Sequence, residues 1–184
     1  RQLVRYISLI MHPGLITPTH LERCMQIAYN AKFNSGCLSR QVGAVVTGAD
    51  YSIKSVGWNS SPEGQVPCNL RNLQYLTSNI EAKSYSDYEL YNDDYRKFLK
   101  EKTEKVKFQK LKGRLFPYCF KDAYTAQLKE KNQVHTRSLH AEENAFLQVA
   151  KNGGMPIRGG FLFTTASPCE LCAKKAYHLG ISKI

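Results

Sequence analysis

No apolar run in this chain approaches the roughly 18 residues that a membrane-spanning helix needs. Arg1 to Ile10 is not followed by a small-residue cleavage site, so the start does not read as a signal peptide. There is no internal repeat and no low-complexity tract, which argues against a solenoid or a disordered scaffold. No Gly-x-x-x-x-Gly-Lys-Ser/Thr run occurs, so a P-loop phosphate site is not among its motifs. Acids are scarce, 15 against 26 Lys and Arg, for a net charge of +11. Closely spaced cysteines are scarce too: of six, only Cys169 and Cys172 are near neighbours, and Cys24, Cys37, Cys68 and Cys119 are scattered. A disulfide framework is not expected in a chain of this length without signs of secretion. The first residue is not Met, and the expectation is a piece of a longer protein. What remains is a chain of 184 residues, 42% hydrophobic, sized for one domain or one domain with a large insertion.

The positive charge is concentrated. Arg96 to Lys131 holds twelve Lys or Arg against four acids, a net of +8, while Glu81 to Tyr95 has five acids against Lys83. Tyrosines are interleaved through the same region. Basic residues among aromatics can hold nucleic acid. The favoured reading is a solvated helical insert with mixed charges, a pattern common on exposed helices.

Local patterns place the elements. Thr19-His-Leu-Glu22 is a capping box, and Leu21, Cys24, Met25 and Ala28 recur at helical spacing, so a helix with an apolar face runs to about Phe33. Val42 to Thr47 and Ile53 to Trp58 read as strands joined by a turn at Gly48-Ala-Asp50. The stretch 68–134 reads as a basic, mainly helical insert, with helical stretches over Ile80 to Lys112 that Gly113 and Pro117 break. Ser138 is placed as the cap of a helix from His140 to about Lys151. Gly160 to Thr165 reads as a strand, and the next helix starts at Ser167 and ends before Gly180, a C′ glycine. Ile181 to Ile184 opens a further strand. Strand–helix–strand units at this end imply parallel pairing. The class is α/β, with helices on both faces of a mixed sheet.

The strongest local signal is Ser167-Pro168-Cys169-Glu170-Leu171-Cys172. Ser167 and Glu170 form a capping box around Pro168, which puts Cys169 and Cys172 in one helical turn, facing the same way. The helix dipole favours their thiolates. They are half of a zinc site, a redox pair, or two buried thiols. Upstream, His140-Ala141-Glu142 opens another helix, so one His and two Cys supply three ligands and leave a fourth position, as in catalytic zinc sites. The pairing of H-x-E with P-C-x-x-C is the signature of zinc deaminases, in which the ion activates water, the Glu moves protons and is not a ligand. Glu142 therefore takes that role, and Glu143, about 100° further round the helix, reads as surface.

The order Gln41-Val-Gly-Ala44, Gly57-Trp-Asn59 with Pro62-x-Gly64, His140-Ala-Glu-x-Asn-Ala145 and Pro168-Cys-x-x-Cys-Ala173 resembles the deoxycytidylate deaminases. The likeness covers about 18–66 and 136–184. It implies a cytidine-deaminase-like α/β/α sandwich over 18–184, with 1–17 as a linker or the end of a preceding element and the last helix and strand of the fold missing. Ser60 departs from the family's usual Gly. The resemblance implies Zn²⁺ on His140, Cys169 and Cys172, Asn59 bonding the sugar, the Ala141 N–H bonding the base, and Gly43-Ala44, as a strand edge, lining the pocket with Ser167 and Pro168. The substrate implied is a deoxycytidine nucleotide, dCMP or dCTP, with Arg40, Lys32 and Arg71 as phosphate candidates. Cys68 and Cys119 are weak candidates for a second metal.

The long basic insert and the doubled Glu142-Glu143 look like the deaminase half of bacterial anti-phage deoxycytidylate deaminases. That branch implies a cytoplasmic homo-oligomer, a fused P-loop kinase-like domain beyond this chain, and an inhibitory small RNA on the insert. Rival readings are an RNA- or DNA-editing deaminase, which splays a base out of a strand, and a zinc-containing nucleic-acid-binding module that has lost catalysis.

Overall fold

The computed structural model describes residues 1–78, 80, 82–104, 106–130 and 136–184. In chain order the elements are α1 (Gln2–Met11), α2 (His20–Ala31), β1 (Gly43–Thr47), β2 (Ile53–Trp58), α3 (Leu73–Thr77), α4 (Asp87–Tyr91), α5 (Asp93–Thr103), α6 (Phe120–Leu128), α7 (Ala141–Lys151), β3 (Phe161–Thr164) and α8 (Glu170–His178). They gather into two compact units. The first holds Arg1–Asn34, Val42–Trp58 and His140–Ile184, the second Ser35–Gln41 and Asn59–Leu139. No helix among the described residues is long and apolar enough to cross a membrane.

The first unit is built on a sheet of order β2-β1-β3, with β1 antiparallel to both neighbours. Beyond β3, Lys183 bridges Phe161 in parallel, and the Leu162 N–H donates to the Lys183 carbonyl at 2.9 Å. Among the described residues the three named strands pair antiparallel throughout, so the mixed sheet and the parallel pairing expected of the last residues are reduced to this single bridge. Side chains alternate across β1. Ala44 and Val46 pack with Leu162 against Ala141, Ala145 and Val149 of α7, and Ala176 of α8 joins that core. Val45, fully buried, faces the other way, toward α2. Helices on both faces make the layers α/β/α.

The capping box at Thr19 forms as the sequence indicates: Glu22 N–H meets the Thr19 hydroxyl, and the Glu22 carboxylate accepts from the Thr19 N–H at 2.7 Å. The buried face of α2 is narrower than its periodicity suggests. Cys24, Ala28 and Ala31 are buried, while Leu21 and Met25 are exposed. The reason is closeness: a Cβ on Gly43 would stand 2.0 Å from the Ala28 carbonyl oxygen, so α2 lies on the strand through small residues alone.

Gly57 does the same for α7. A Cβ there would stand 2.4 Å from both the Ala141 oxygen and the Ala145 nitrogen, two backbone atoms that cannot swing aside. Gly57→Ala should therefore push α7 off the sheet and destabilise the fold by roughly 2–3 kcal/mol, in the range of overpacked cores. Urea unfolding measures it, and a loss below about 0.5 kcal/mol would show that the helix is not held.

The second unit is helical. Its core is Leu73, Leu76, Tyr85, Tyr95, Leu99, Tyr118 and Phe120. The insert read over 68–134 falls within it, with residues 131–134 outside the described set. The helical stretches expected over Ile80 to Lys112 are α4, α5 and short 3₁₀ turns. Two internal caps divide them. Ser86 makes a full capping box with Glu89, and the Asn92 side chain accepts from the Tyr95 N–H at 2.8 Å.

Arg71, a phosphate candidate in the sequence, is only 1% exposed. It donates to the Ser84 carbonyl at 3.0 Å and the Tyr118 hydroxyl at 2.9 Å, and pairs with the buried Glu89. Its charge is used inside the unit, because a buried guanidinium must be paired and hydrogen-bonded to be tolerated. Of the other two candidates, Lys32 sits over the Tyr29 ring at 3.6 Å, and Arg40 is exposed.

Candidate metal centre

Three features bring the ends of α7 and α8 together within the first unit. β1 runs antiparallel to β2 and β3, so β2 and β3 finish at the same end of the sheet. Gly43 and Thr165 exchange bonds there: the Gly43 N–H donates to Thr165 Oγ1 at 3.1 Å, and the Thr165 N–H to the Gly43 oxygen at 3.0 Å. Asn144 Nδ2, on the first turns of α7, donates to the Trp58 carbonyl at 2.8 Å and ties the helix to the end of β2. Ser55 adds a bond from its hydroxyl to the Ala145 carbonyl at 2.8 Å.

At that end, His140 Nδ1 lies 3.3 Å from Cys169 Sγ and 3.4 Å from Cys172 Sγ. The three ligand atoms all lie within 4.8 Å of one another, and among the described residues this is the one His, Cys or carboxylate group able to hold a metal ion. A tetrahedral ion with bonds of about 2.3 Å to sulfur and 2.0–2.1 Å to nitrogen keeps N and S about 3.6 Å apart. The observed spacing is close to that value. All six cysteines are free thiols, and Cys68 and Cys119 gather no third ligand among the described residues.

The caps differ from those read in the sequence. Ser138 does not cap α7, and Ser167 does not cap α8. The N-cap residues are His140 and Cys169, neither making a side-chain cap bond. Pro168 consequently precedes the cap instead of opening the helix. The first ligand of each motif occupies the cap itself, so its ring or sulfur is turned to the metal group and not back to its own helix. Cys172 is then the third residue of α8 and Glu142 the second of α7.

Glu142 is 4% exposed and stands outside the three-ligand group. Burial, then the Glu142 carboxylate and Cys169, push the Cys172 thiol above its ordinary range, against the dipole's preference for thiolate. Without a metal that shift favours the neutral thiol; a bound cation would favour the thiolate instead, and two thiolates with an imidazole suit zinc. Glu143 pairs with Lys175 of α8 and so braces the two ligand-bearing helices on their outer side.

Of the pocket residues, Ala141 is fully buried at the first position of α7, where backbone N–H groups lack partners within the helix. Ser167 is exposed and Pro168 half-buried in the loop entering α8. Gly43-Ala44 is not a strand edge: β1 is the middle strand, paired on both sides. Asn59 follows Trp58, is buried, and donates from Nδ2 to the Arg40 carbonyl at 2.7 Å, within the second unit. In the sequence Asn144 shows only as a polar residue on the apolar side of its helix, and that is the signal available for its role.

A sequence profile described as the cytidine and deoxycytidylate deaminase zinc-binding region matches residues 18–184. The deoxycytidylate deaminase of Enterobacteria phage T2 is 31% identical over 165 residues, covering 87% of this chain and 75% of that protein. That of Enterobacteria phage T4 is 31% identical over 160 residues, covering 87% and 73%. Among solved structures, the dCMP deaminase of cyanophage S-TIM5 in apo form aligns with a TM-score of 0.48 at 22% identity, over 90% of this chain and 80% of that one. The same enzyme in complex with dCMP and dUMP aligns at 0.49 and 24%, over 90% and 79%.

Proposed function

This chain belongs to the zinc-binding cytidine and deoxycytidylate deaminase family, and from that premise we propose that it hydrolyses dCMP to dUMP and ammonia. The observation that carries the reading is the convergence of His140, Cys169 and Cys172 beside the buried, non-ligating Glu142. The relatives named as deoxycytidylate deaminases support the substrate.

His140, Cys169 and Cys172 would hold the zinc. Bound there, zinc acts as a Lewis acid and lowers the pKa of water from about 15.7 toward about 7. Glu142 takes the proton of the attacking water, passes it to N3 of the cytosine, and protonates the departing amine; one water enters and one ammonia leaves. The Ala141 N–H, at the open first turn of α7, holds the base carbonyl, and Ser167 and Pro168 border the base. A carboxylate so placed has no use in a purely structural zinc module, which favours the enzyme.

The wider reading adds dCTP as a substrate and a role in anti-phage nucleotide depletion. It rests on the basic insert and on Glu142-Glu143, and the loss of Arg71 to an internal ion pair leaves it fewer cations for a triphosphate. The test is ammonia release by the zinc-loaded protein from dCMP, dCTP, CMP and short single strands. Release from dCMP is expected; release from strands alone would replace this reading with an editing deaminase.

A further inference from the structure

We propose that the second unit carries a binding site for a small aromatic anion, a flat ring bearing a carboxylate or a phosphate, in a cavity separate from the metal group's residues. The cavity measures about 610 Å³, a volume in the usual range of about 300–1,000 Å³ for small-ligand sites. Every described residue lining it belongs to the second unit.

Its wall is aromatic: Tyr85, Tyr88, Phe120 and Tyr124 all line it. Tyr88 and Tyr124 stand 5.3 Å apart edge to face, and Phe120 and Tyr124 stack at 5.6 Å. Such a wall takes a further flat ring by stacking or edge contact. Among the described residues two cations share the lining, Lys83, which is exposed, and Arg137.

The charge balance behind the wall is uneven. Glu89, fully buried, accepts from Arg137 Nη1 at 3.2 Å and also pairs with Arg71. Two guanidinium groups thus share one carboxylate. Arg137 Nε and Arg71 Nη1 are buried and have no hydrogen-bond partner among the described residues. Among the described residues, Arg137 Nη2 reaches the Gln65 oxygen alone, at 3.5 Å. Two guanidinium groups on one buried carboxylate leave an excess positive charge, and an anion beside Arg137 and Lys83 offsets it. A ring for the tyrosines and an acid for the cations define one ligand class.

Calorimetric titration of the zinc-loaded full chain tests the site with three probes: indole-3-acetate, GMP and tryptamine. One saturable equivalent of indole-3-acetate or GMP is expected, with tryptamine, the same ring on a cation, about tenfold weaker or worse. Binding of indole-3-acetate alone assigns an aromatic acid; binding of GMP alone assigns a nucleotide. Lys83→Glu, at an exposed position, should weaken the acid by about tenfold without changing the unfolding temperature. Arg137→Gln is the second variant, with its unfolding temperature read alongside. The proposal falls if neither acid saturates at millimolar concentration, if tryptamine binds equally, or if both variants bind as the parent does.

Discussion

Glu142→Gln will keep its zinc and lose its activity, with ammonia release slowed by about 10²–10⁴-fold, the usual worth of a positioned acid–base group. Gln has nearly the shape of Glu, so the packing around a side chain only 4% exposed is kept. The metal group is untouched, because Glu142 is not one of its three residues. What disappears is the capacity to accept and return a proton. Zinc content by chelator colorimetry and initial rates with dCMP separate the two properties. A rate within tenfold of the parent would remove Glu142 from the mechanism, and loss of zinc along with activity would make it a ligand.

The second large effect concerns the metal and the fold together. Cys172→Ala should lower the zinc content from about one ion per chain to nearly none, and the unfolding temperature with it. A metal that binds the folded chain and not the unfolded one stabilises it by about 2.7 kcal/mol when free metal is a hundred times the dissociation constant. Cys24→Ala is the matching control. Cys24 is as buried as Cys172 but lies on α2, outside the metal group. Both variants lose a buried sulfur, so both lose packing. Only the first should make the unfolding temperature indifferent to added zinc. Equal response of the two variants to zinc would place the metal elsewhere.

Features encoded by near neighbours in the chain are legible in the amino-acid sequence. The capping box at Thr19, the β1–β2 hairpin and the C′ glycine at Gly180 depend on contacts within a few residues, and each forms as its residues indicate. The metal group is legible because its two motifs carry chemistry at fixed short spacings. The caps of α7 and α8 are harder to place for a physical reason: Ser is the better capping residue, but here the cap positions go to His140 and Cys169. Arg71 reads as a surface cation because its partner Glu89 is 18 residues away and nothing local announces the pair. The insert's breaks at Ser86 and Asn92 are hidden for a different reason, lying in a stretch so polar that a cap does not stand out. The centrality of β1 depends on β3, more than a hundred residues later.

The bridge between Ser60 and Leu139, where the Leu139 N–H meets the Ser60 oxygen at 2.9 Å, clasps the two ends of a long excursion. The 78 residues between them start and finish at one point. A clasped excursion is nearly indifferent to its own length, since each doubling of a loop adds only about 0.6 kcal/mol to its closure. Natural variation in size and sequence can therefore accumulate in this stretch across related chains while His140 stays one residue from the clasp. Lineages would differ most in what they graft here and least in the residues on either side.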